Sequence, residues 1–361
     1  MKISDINVSY LEDLLMDAKY KNVILWGAGK QIEKFINQYC GDLKLLPNPK
    51  YVLETTRKPK DTFVCGIPII DSLNGLNLNP DNSIIIITAG LMELQGKAVS
   101  EEFYYFPMVH RRSIEAFDYF RKNSEKCDEA ISLLTDAESK YIYKKVFQNI
   151  INGVLWDQSL YSPSPYFGNN LIDKIPNNGL FIFAGAFNGK HLVRANRNNS
   201  DVSILAMEPS KFWHDKIRSE FSSYKKITIG NALFWDETTK LGYDEDKINN
   251  GLGASIVSDI SKADYFLDTV TIDEAVGNTP VAHIALDIEG AEQKALLGAK
   301  NSIKKFKPNL CICLYHSLDD YFSLPIILNS YGGYSLHVKQ HSILCPIETV
   351  LYALPTTYKF N

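Results

Sequence analysis

The sequence lacks the features that mark several broad classes of protein. Its six cysteines, at positions 40, 65, 127, 311, 313 and 345, include no pair in the Cys-x-x-Cys spacing of zinc sites. Cys311 and Cys313 alternate within an apolar, strand-like run, which packing explains better than a metal. We therefore expect no structural disulfide, no metal site and a reducing compartment, the cytoplasm. The longest apolar run, around Ile84–Ile87, is far shorter than the roughly 20 residues that cross a bilayer, which predicts no membrane span.

An excess of charge of one sign is also lacking, because 38 lysines and arginines face 42 acids and give a formal net charge of −4. The sequence has no basic stripe or arginine-rich tail, so nucleic acid is not an expected partner. A short basic run around Pro59 (Arg57, Lys58 and Lys60) is interpreted as a solvated loop. The N-terminal stretch carries acids where a signal peptide has a basic flank, which again predicts a cytoplasmic protein.

What the sequence does contain is two strand-like segments that each run into a glycine turn and a helical pattern. These are residues 22–30, which end in Trp-Gly-Ala-Gly-Lys, and residues 179–190, which contain Phe-Ala-Gly-Ala-Phe-Asn-Gly. Each is typical of the opening of a doubly wound α/β unit. Between them, a glycine-free stretch with helical spacing (117–151) predicts two helices. We therefore predict a Rossmann-like domain at 1–112, a helical linker at 113–170 and a second α/β domain at 171–361.

In the second domain, predicted strands and helices alternate. The strands are expected at 180–184, 202–207, 226–229, 281–288 and 309–316, followed by a closing hairpin, and the helices at 189–197, 211–223, 291–305 and around 323–331. A loop-rich stretch from Asn231 to about Asp264 interrupts this alternation. The order predicts a mostly parallel, Rossmann-like sheet with antiparallel strands at the C-terminal end.

Three features of this domain fit a nucleoside cofactor. Gly185, Ala186 and Gly189 are small enough for the backbone to approach a ligand closely, and the following helix directs amide donors at it. Glu208, about twenty residues further on, ends the second strand, where a carboxylate accepts hydrogen bonds from both ribose hydroxyls. The expected adenine contacts at the end of the third strand are Asn231 and Ala232.

Acidic side chains follow the fourth strand of this domain. Asp287 and Glu289 stand two residues apart, so both face one side of the pleat at the edge where doubly wound folds have their active sites. His316 is expected at the end of the next strand, where it can take a proton from a hydroxyl near neutral pH. The alternatives are solvated acids, a structural histidine and, for Glu292, a helix N-terminal charge. A divalent ion bound by Asp287 and Glu289 is a further alternative, but two carboxylates are weak evidence for a metal site.

Four blocks of this domain resemble the FkbM-type methyltransferase family: IALDIEGAEQKALLGA (284–299), KPNLCICLYHSLDDYFSLP (307–325), MEPSKFW (207–213) and the closing strands from Tyr334 to Tyr352. The resemblance covers residues 140–355 and implies a class I methyltransferase fold with S-adenosylmethionine as the cofactor. It also implies transfer of the methyl group to a hydroxyl of a sugar, a glycan or another small molecule. Asp287, Glu289 and His316 would then orient or deprotonate the acceptor.

One position departs from the family's pattern. The family usually has an acid two positions before the first glycine, where it helps to hold the amino-acid end of the cofactor, and here that position is Phe183. Asp287 or Glu289 is expected close enough to replace this acid. A non-catalytic protein that retains the fold is the alternative.

The N-terminal half resembles the Rossmann-like domain that precedes some family members and sugar-modifying enzymes, with Trp26–Lys30 as its marker. Ile32 stands where a complete dinucleotide fingerprint has its third glycine. A nicotinamide-dependent enzyme acting on nucleotide sugars is therefore a second hypothesis. Such an enzyme would also need a Tyr-x-x-x-Lys dyad near the glycine turn, and the sequence has none there. Tyr141 and Lys145 have this spacing, but they lie in a predicted helix, and we attribute the pair to chance. A scaffold or homodimer-forming role is the alternative for this half.

Overall fold

A computed structural model describes residues 21–27, 32–42, 46–55, 62–74, 76–78, 82–87, 105–107, 113–152, 158–245, 255–257, 261, 263–342 and 348–356. The chain divides into two compact units. The first comprises Met1–Ser124, Lys144–Ser159 and Ile343–Pro346, and the second comprises Glu125–Tyr143, Leu160–Ser342 and Ile347–Asn361. The three-part division into 1–112, 113–170 and 171–361 stays a prediction.

The first unit contains a six-stranded sheet. Its strands are β1 (Asn22–Trp26), β2 (Tyr51–Leu53), β3 (Phe63–Val64), β4 (Ile67–Ile70), β5 (Ser83–Ile87) and β6 (Tyr105–Pro107), in the order β3-β4-β2-β1-β5-β6. All neighbours are parallel except the pair β3–β4. The β-branched run in β5 is buried, as a strand covered on both faces requires. A short helix, α1 (Ile32–Phe35), continues into a π-helical turn at Ile36–Asp42.

The glycine turn predicted for the first unit is only partly described. Gly27 follows β1 with a φ of 117°, and its N–H donates to the carbonyl of Leu53 over 2.8 Å. Residues 28–30 of this turn and the basic run at 57–60 lie outside the described residues.

The glycine-free stretch forms three helices, so the prediction of two was wrong. They are α2 (Ser113–Lys122), α3 (Ser124–Leu133) and α4 (Ala137–Asn152). The last break arises at Asp136, whose Oδ1 accepts the N–H of Ser139 over 2.7 Å and so caps the start of α4. Along the described ranges, no helix combines the length and apolarity needed to cross a bilayer.

The second unit is built on a seven-stranded sheet. Its strands are β7 (Leu180–Ala184), β8 (Ser203–Met207), β9 (Ile227–Gly230), β14 (Val281–Leu286), β15 (Asn309–Cys313), β16 (Tyr334–Gln340) and β17 (Thr349–Pro355), in the order β16-β17-β15-β14-β7-β8-β9. The five strands from β15 to β9 are parallel, whereas β17 is antiparallel to both of its neighbours. This is the mostly parallel sheet with antiparallel C-terminal strands that was predicted.

The helices of this unit connect its strands. They are α5 (Lys190–Asn198), α6 (Lys211–Glu220), α7 (Ile272–Val276), α8 (Glu292–Leu297), α9 (Lys300–Phe306) and α10 (Asp320–Ser330). The single helix predicted at 291–305 is therefore two helices. The reason is Asp273: its N–H donates to the carbonyl of Gly298, and its carboxylate accepts the first-turn amides of Asn301 and Ser302.

A second, four-stranded sheet occupies much of the stretch that was predicted as loop. It consists of β10 (Leu233–Phe234), β11 (Lys240–Asp244), β12 (Ser255–Val257) and β13 (Tyr265–Val270), in the order β10-β13-β11-β12. Three of these strands have only two to five residues, too few for an alternating pattern to stand out in the sequence.

The closing hairpin predicted from the sequence is formed by β16 and β17, and the end of β16 is buried. Lys339 and His341 are both buried. The two ring nitrogens of His341 lie 2.6 Å from the carbonyl of Ser162 and 2.8 Å from the hydroxyl of Tyr352. This part of the hairpin is therefore packed within the unit.

Candidate active site

The turn after β7 passes unusually close to the end of β14. Gly185 has a φ of 83°, and a Cβ at this position would lie 1.8 Å from the carbonyl oxygen of Asp287. Only glycine allows this approach. The amides of Gly185 and Ala186 donate to the carbonyl of Met207 over 2.9 and 3.1 Å, which ties the same turn to the end of β8. Three strand ends thus meet at one edge of the sheet.

Gly189 begins α5 for a different reason. It has a φ of 75°, and a Cβ there would lie 2.7 Å from Cε2 of Phe221. The small residues predicted for ligand approach are therefore also required by the tight contact between α5 and the chain that follows α6.

The carboxyl of Glu208 lies beside this turn. Its Oε2 accepts the N–H of Phe187 over 2.6 Å and its Oε1 accepts the N–H of Ser210 over 2.8 Å. The residue is only 5% exposed, and burial raises the pKa of Glu208 to about 7 although both amides favour the charged form. A buried carboxyl of this kind can accept hydrogen bonds from a ligand that enters the edge.

Asn231 and Ala232 follow β9 at the same edge. The Asn231 side-chain amide donates to the carbonyls of Glu208 and Pro209 over 2.9 and 3.2 Å, which holds the ends of β8 and β9 together. Asn231 is exposed and Ala232 is half-buried, so both are accessible from solvent.

Asp287 accepts hydrogen bonds from two tyrosines that the sequence did not point to. The Tyr166 hydroxyl donates to its Oδ2 over 2.7 Å, and the Tyr315 hydroxyl donates to its Oδ1 over 3.0 Å. Its side chain is 27% exposed. Tyr315 could have been suspected because it precedes His316, whereas no local signal links Tyr166 to a partner 121 residues away.

His316 lies three residues beyond the end of β15 and has a carboxylate at each ring nitrogen. Its Nδ1 is 2.8 Å from Oε1 of Glu292 and its Nε2 is 3.4 Å from Oδ1 of Asp287. Burial lowers the pKa of His316, but the charges of Glu292, Asp287 and Glu289 outweigh it and raise the pKa to about 10. With this pKa the ring carries a proton at neutral pH, which does not favour proton acceptance; the role of His316 as a proton acceptor stays a prediction.

Glu292 holds the loop between β14 and α8 in place. It is fully buried, and its two oxygens accept the amides of Ile288 over 2.8 Å and Gly290 over 3.0 Å. Glu292 is the first residue of α8, which agrees with the interpretation as a helix N-terminal charge, and it also pairs with His316.

Glu289 stands at the outer side of this cluster. It adopts a left-handed conformation with a φ of 54°, and its Oε2 lies 3.8 Å from Nε2 of His316. Partial burial and the neighbouring carboxylates raise the pKa of Glu289 to about 7, while His316 opposes this shift. Because the side chain is 48% exposed, water screens part of the effect, and a ligand in solvent can reach the carboxyl.

Phe183, at the position where an acid was expected, belongs to the core. It is fully buried, with its ring edge-on to Tyr166 (centroids 5.4 Å apart) and stacked on His191 (5.6 Å). Burial lowers the pKa of His191 to about 4, so the His191 ring is neutral at pH 7. Ala285 lies opposite Phe183 on β14, which brings Asp287 to the end of β7 from the neighbouring strand.

Within the described residues, no group of three or more histidine, cysteine, aspartate and glutamate side chains is arranged to hold a metal ion. The sheet order β9-β8-β7-β14-β15-β17-β16, with a glycine turn after β7 and a buried acid after β8, defines the class I methyltransferase fold. A smaller Rossmann-like unit precedes it, as predicted. Residues 184–335 match the model of the methyltransferase FkbM domain.

The fold agrees with that of one solved structure along nearly the whole chain. Methyltransferase FkbM from Methylobacillus flagellatus is similar over 97% of this chain and 100% of its own, with a TM-score of 0.72 and 16% identity. Fibrillarin from Aeropyrum pernix, solved with bound S-adenosyl-L-methionine, is similar over 50% of this chain and 68% of its own (TM-score 0.33, 9% identity). No curated protein matches the sequence significantly. The match to this domain model supports methyl transfer as the general activity, and the FkbM structure supports the fold.

Proposed function

We propose that this protein transfers the methyl group of S-adenosylmethionine to a hydroxyl of a sugar or glycan. The observation that carries the proposal is the buried carboxyl of Glu208 beside the Gly185 turn, at the sheet edge that also holds Asp287 and Glu289, in an FkbM domain. Bound S-adenosylmethionine supplies an electrophilic methyl group on a positively charged sulfur.

Residues on neighbouring strand ends fit the parts of this cofactor. Glu208 accepts hydrogen bonds from the ribose hydroxyls, since its carboxyl lies at the turn that follows β7 and accepts the N–H of Phe187 there. Asn231 and Ala232 border the adenine. Asp287 takes the place of the acid missing at Phe183 and receives the ammonium group of the amino-acid end, because β14 pairs with β7 and the backbone of Asp287 meets the Gly185 turn.

Glu289 is the group best suited to take the proton of the acceptor hydroxyl. A general base works best with a pKa near the operating pH, and burial together with neighbouring charges raises the pKa of Glu289 to about 7. Its carboxyl is reachable from solvent, unlike the fully enclosed carboxyl of Glu292. The His316 imidazolium beside it stays charged and orients the acidic groups around it.

The charge of the site favours an uncharged acceptor. Glu208, Asp287 and Glu289 lie at the edge where the acceptor must approach the methyl group. Among the contacts described above, His316 pairs with Asp287 and Glu289, and Glu208 has only amide partners. Carboxylates repel phosphates and other anions at this distance and attract a sulfonium. A neutral sugar hydroxyl is therefore a better acceptor than an anionic group.

Calorimetric titration with S-adenosylmethionine and S-adenosylhomocysteine tests the cofactor. We expect both to bind the wild type and to bind Glu208→Gln at least tenfold more weakly, since the amide cannot accept from both hydroxyls. Glu220→Gln, at the exposed end of α6, is the control for loss of one negative charge and should bind like the wild type. Absence of heat from the wild type at millimolar ligand would refute the proposal.

Transfer to a hydroxyl is tested with methyl-labelled cofactor and a panel of neutral mono- and oligosaccharides. A methyl ether survives treatment with alkali, whereas a methyl ester is hydrolysed, so alkali-stable label on the sugar supports the proposal and alkali-labile label contradicts it. With an accepted sugar, Glu289→Gln should lower kcat by about 100-fold or more because the base is removed. Unchanged kcat in Glu289→Gln would exclude this residue as the base.

A further inference from the structure

Tyr166 belongs to a segment, residues 160–172, that precedes the matched domain at 184–335. The backbone of this segment adopts left-handed conformations at Ser164, Tyr166 and Gly168, with φ values of 66°, 71° and 71°. Such conformations are costly for residues other than glycine and persist only where surrounding contacts impose them.

Those contacts are present on both sides of Tyr166. The Nη2 of Arg194 donates to the carbonyls of Pro165 and Phe167 over 2.7 and 2.8 Å. The N–H of Tyr166 donates to the hydroxyl of Tyr352 over 3.1 Å. The backbone that carries Tyr166 is therefore fixed to α5 and β17 of the same unit.

The side chain of Tyr166 is fully buried, and its hydroxyl reaches Asp287. Its ring is edge-on to Phe183 and to His191, with centroids 5.4 and 5.1 Å away, and its hydroxyl donates to Oδ2 of Asp287 over 2.7 Å. Burial and the charge of Asp287 raise the pKa of Tyr166 far above its ordinary value, so the phenol stays protonated and remains a donor. Hydrogen bonds from a neutral donor to a carboxylate are among the stronger ones in proteins.

We infer that Tyr166 is a positioning residue, which holds the carboxylate of Asp287 in the orientation that receives the ammonium group of the cofactor's amino-acid end. With Tyr166 on Oδ2, and Tyr315 and His316 on Oδ1, the plane of the carboxylate is set, and Oδ2 keeps a lone pair for a further donor. The ring of Tyr166 also covers Phe183, where the family usually has its acid. The segment upstream of the matched domain thus compensates for the substitution at Phe183. This inference rests on the proposed cofactor.

Two ligands separate this role from a general effect on the site. S-adenosylhomocysteine carries the amino-acid end, whereas 5′-methylthioadenosine has the same nucleoside without it. In Tyr166→Phe, which removes only the hydroxyl, we expect S-adenosylhomocysteine to bind about tenfold more weakly and 5′-methylthioadenosine to bind as it does to the wild type. Calorimetry on the full chain measures both.

Two further variants serve as controls. Tyr352→Phe loosens the same segment at the Tyr166 amide without touching Asp287, and it should leave the ratio of the two affinities unchanged. In an Asp287→Asn background, the additional change Tyr166→Phe should have no effect on that ratio, because its target is already altered.

The outcomes distinguish this inference from the proposed function. If the wild type binds neither ligand, the cofactor proposal fails and the inference fails with it. If the wild type binds both, but Tyr166→Phe weakens both equally or shifts the ratio as much in the Asp287→Asn background, the cofactor proposal stands and the positioning role is overturned.

Discussion

Replacing the buried carboxyl of Glu208 by the neutral amide of glutamine should remove a pH-dependent contribution to the free energy of unfolding. The folded-state pKa of about 7 lies above the ordinary value of 4.5 because burial penalises the charge. Folding therefore favours the protonated form of Glu208. The stability this provides is fully present below pH 4.5 and is lost as the pH rises through about 7.

The size of the effect follows from the shift. With pKa values of 4.5 unfolded and about 7 folded, the contribution of Glu208 to the free energy of unfolding falls by roughly 2 kcal/mol between pH 5.5 and pH 8. In Glu208→Gln this pH-dependent contribution is absent. One of the two backbone N–H groups then faces the side-chain NH2 group, which lowers the free energy of unfolding by about 1–3 kcal/mol at every pH. The difference between wild type and variant should therefore shrink or reverse as the pH rises.

Urea unfolding of the wild type and Glu208→Gln at several pH values measures this difference. Three other groups have raised pKa values: Glu289, Asp320 and His316. As the pH rises, they lower the free energy of unfolding of the wild type and of the variant alike. The difference in this free energy between the two proteins therefore reports on Glu208. Glu220→Gln is the control for a lost surface charge. A difference that stays constant within about 0.5 kcal/mol across this pH range would refute the reasoning.

Three other predictions follow from the same geometry. Gly185→Ala should abolish cofactor binding in calorimetry and lower the melting temperature, because its Cβ would meet a carbonyl oxygen at 1.8 Å; Gly332→Ala has a similar φ with nothing within 4 Å, so it should retain binding. Phe183→Asp restores the family's usual acid but should lower the free energy of unfolding by about 4 kcal/mol without creating activity, since it buries a charge in place of a packed ring; an active, stable variant would contradict this. Glu292→Gln should lower the pKa of His316 from about 10 towards its ordinary value of 6.5, and an unchanged histidine titration in NMR would contradict the assigned ion pair.

Much of the site could be predicted because its parts depend on local order along the chain. Gly185 follows a strand directly, and Glu208 follows the next strand at the spacing typical of nucleoside-binding folds, so their meeting at one edge results from parallel pairing alone. Asp287 and Glu289 were expected at that edge for the same reason. Short strands such as β10 and β12 were not predicted, because two or three residues are too few to show an alternating pattern.

Other properties of the site come from neighbours that are distant along the chain. Burial alone would lower the pKa of His316, but Glu292, 24 residues earlier, lies 2.8 Å from its Nδ1 and raises that pKa. Phe183 looks like a lost acid in the sequence, whereas in the fold it is part of an aromatic core with Tyr166 and His191.

The sequence by itself determined where the main strands of the second unit lie along the chain, the glycine turn and the set of acidic side chains. Each of these depends on residues that are close together in the chain. Only the tertiary structure decided which of those side chains carry charge and which residues orient them. The physical reason is that a protonation state depends on what removes water from a group and what lies within a few ångströms of it. For Asp287, one such neighbour is a tyrosine 121 residues away.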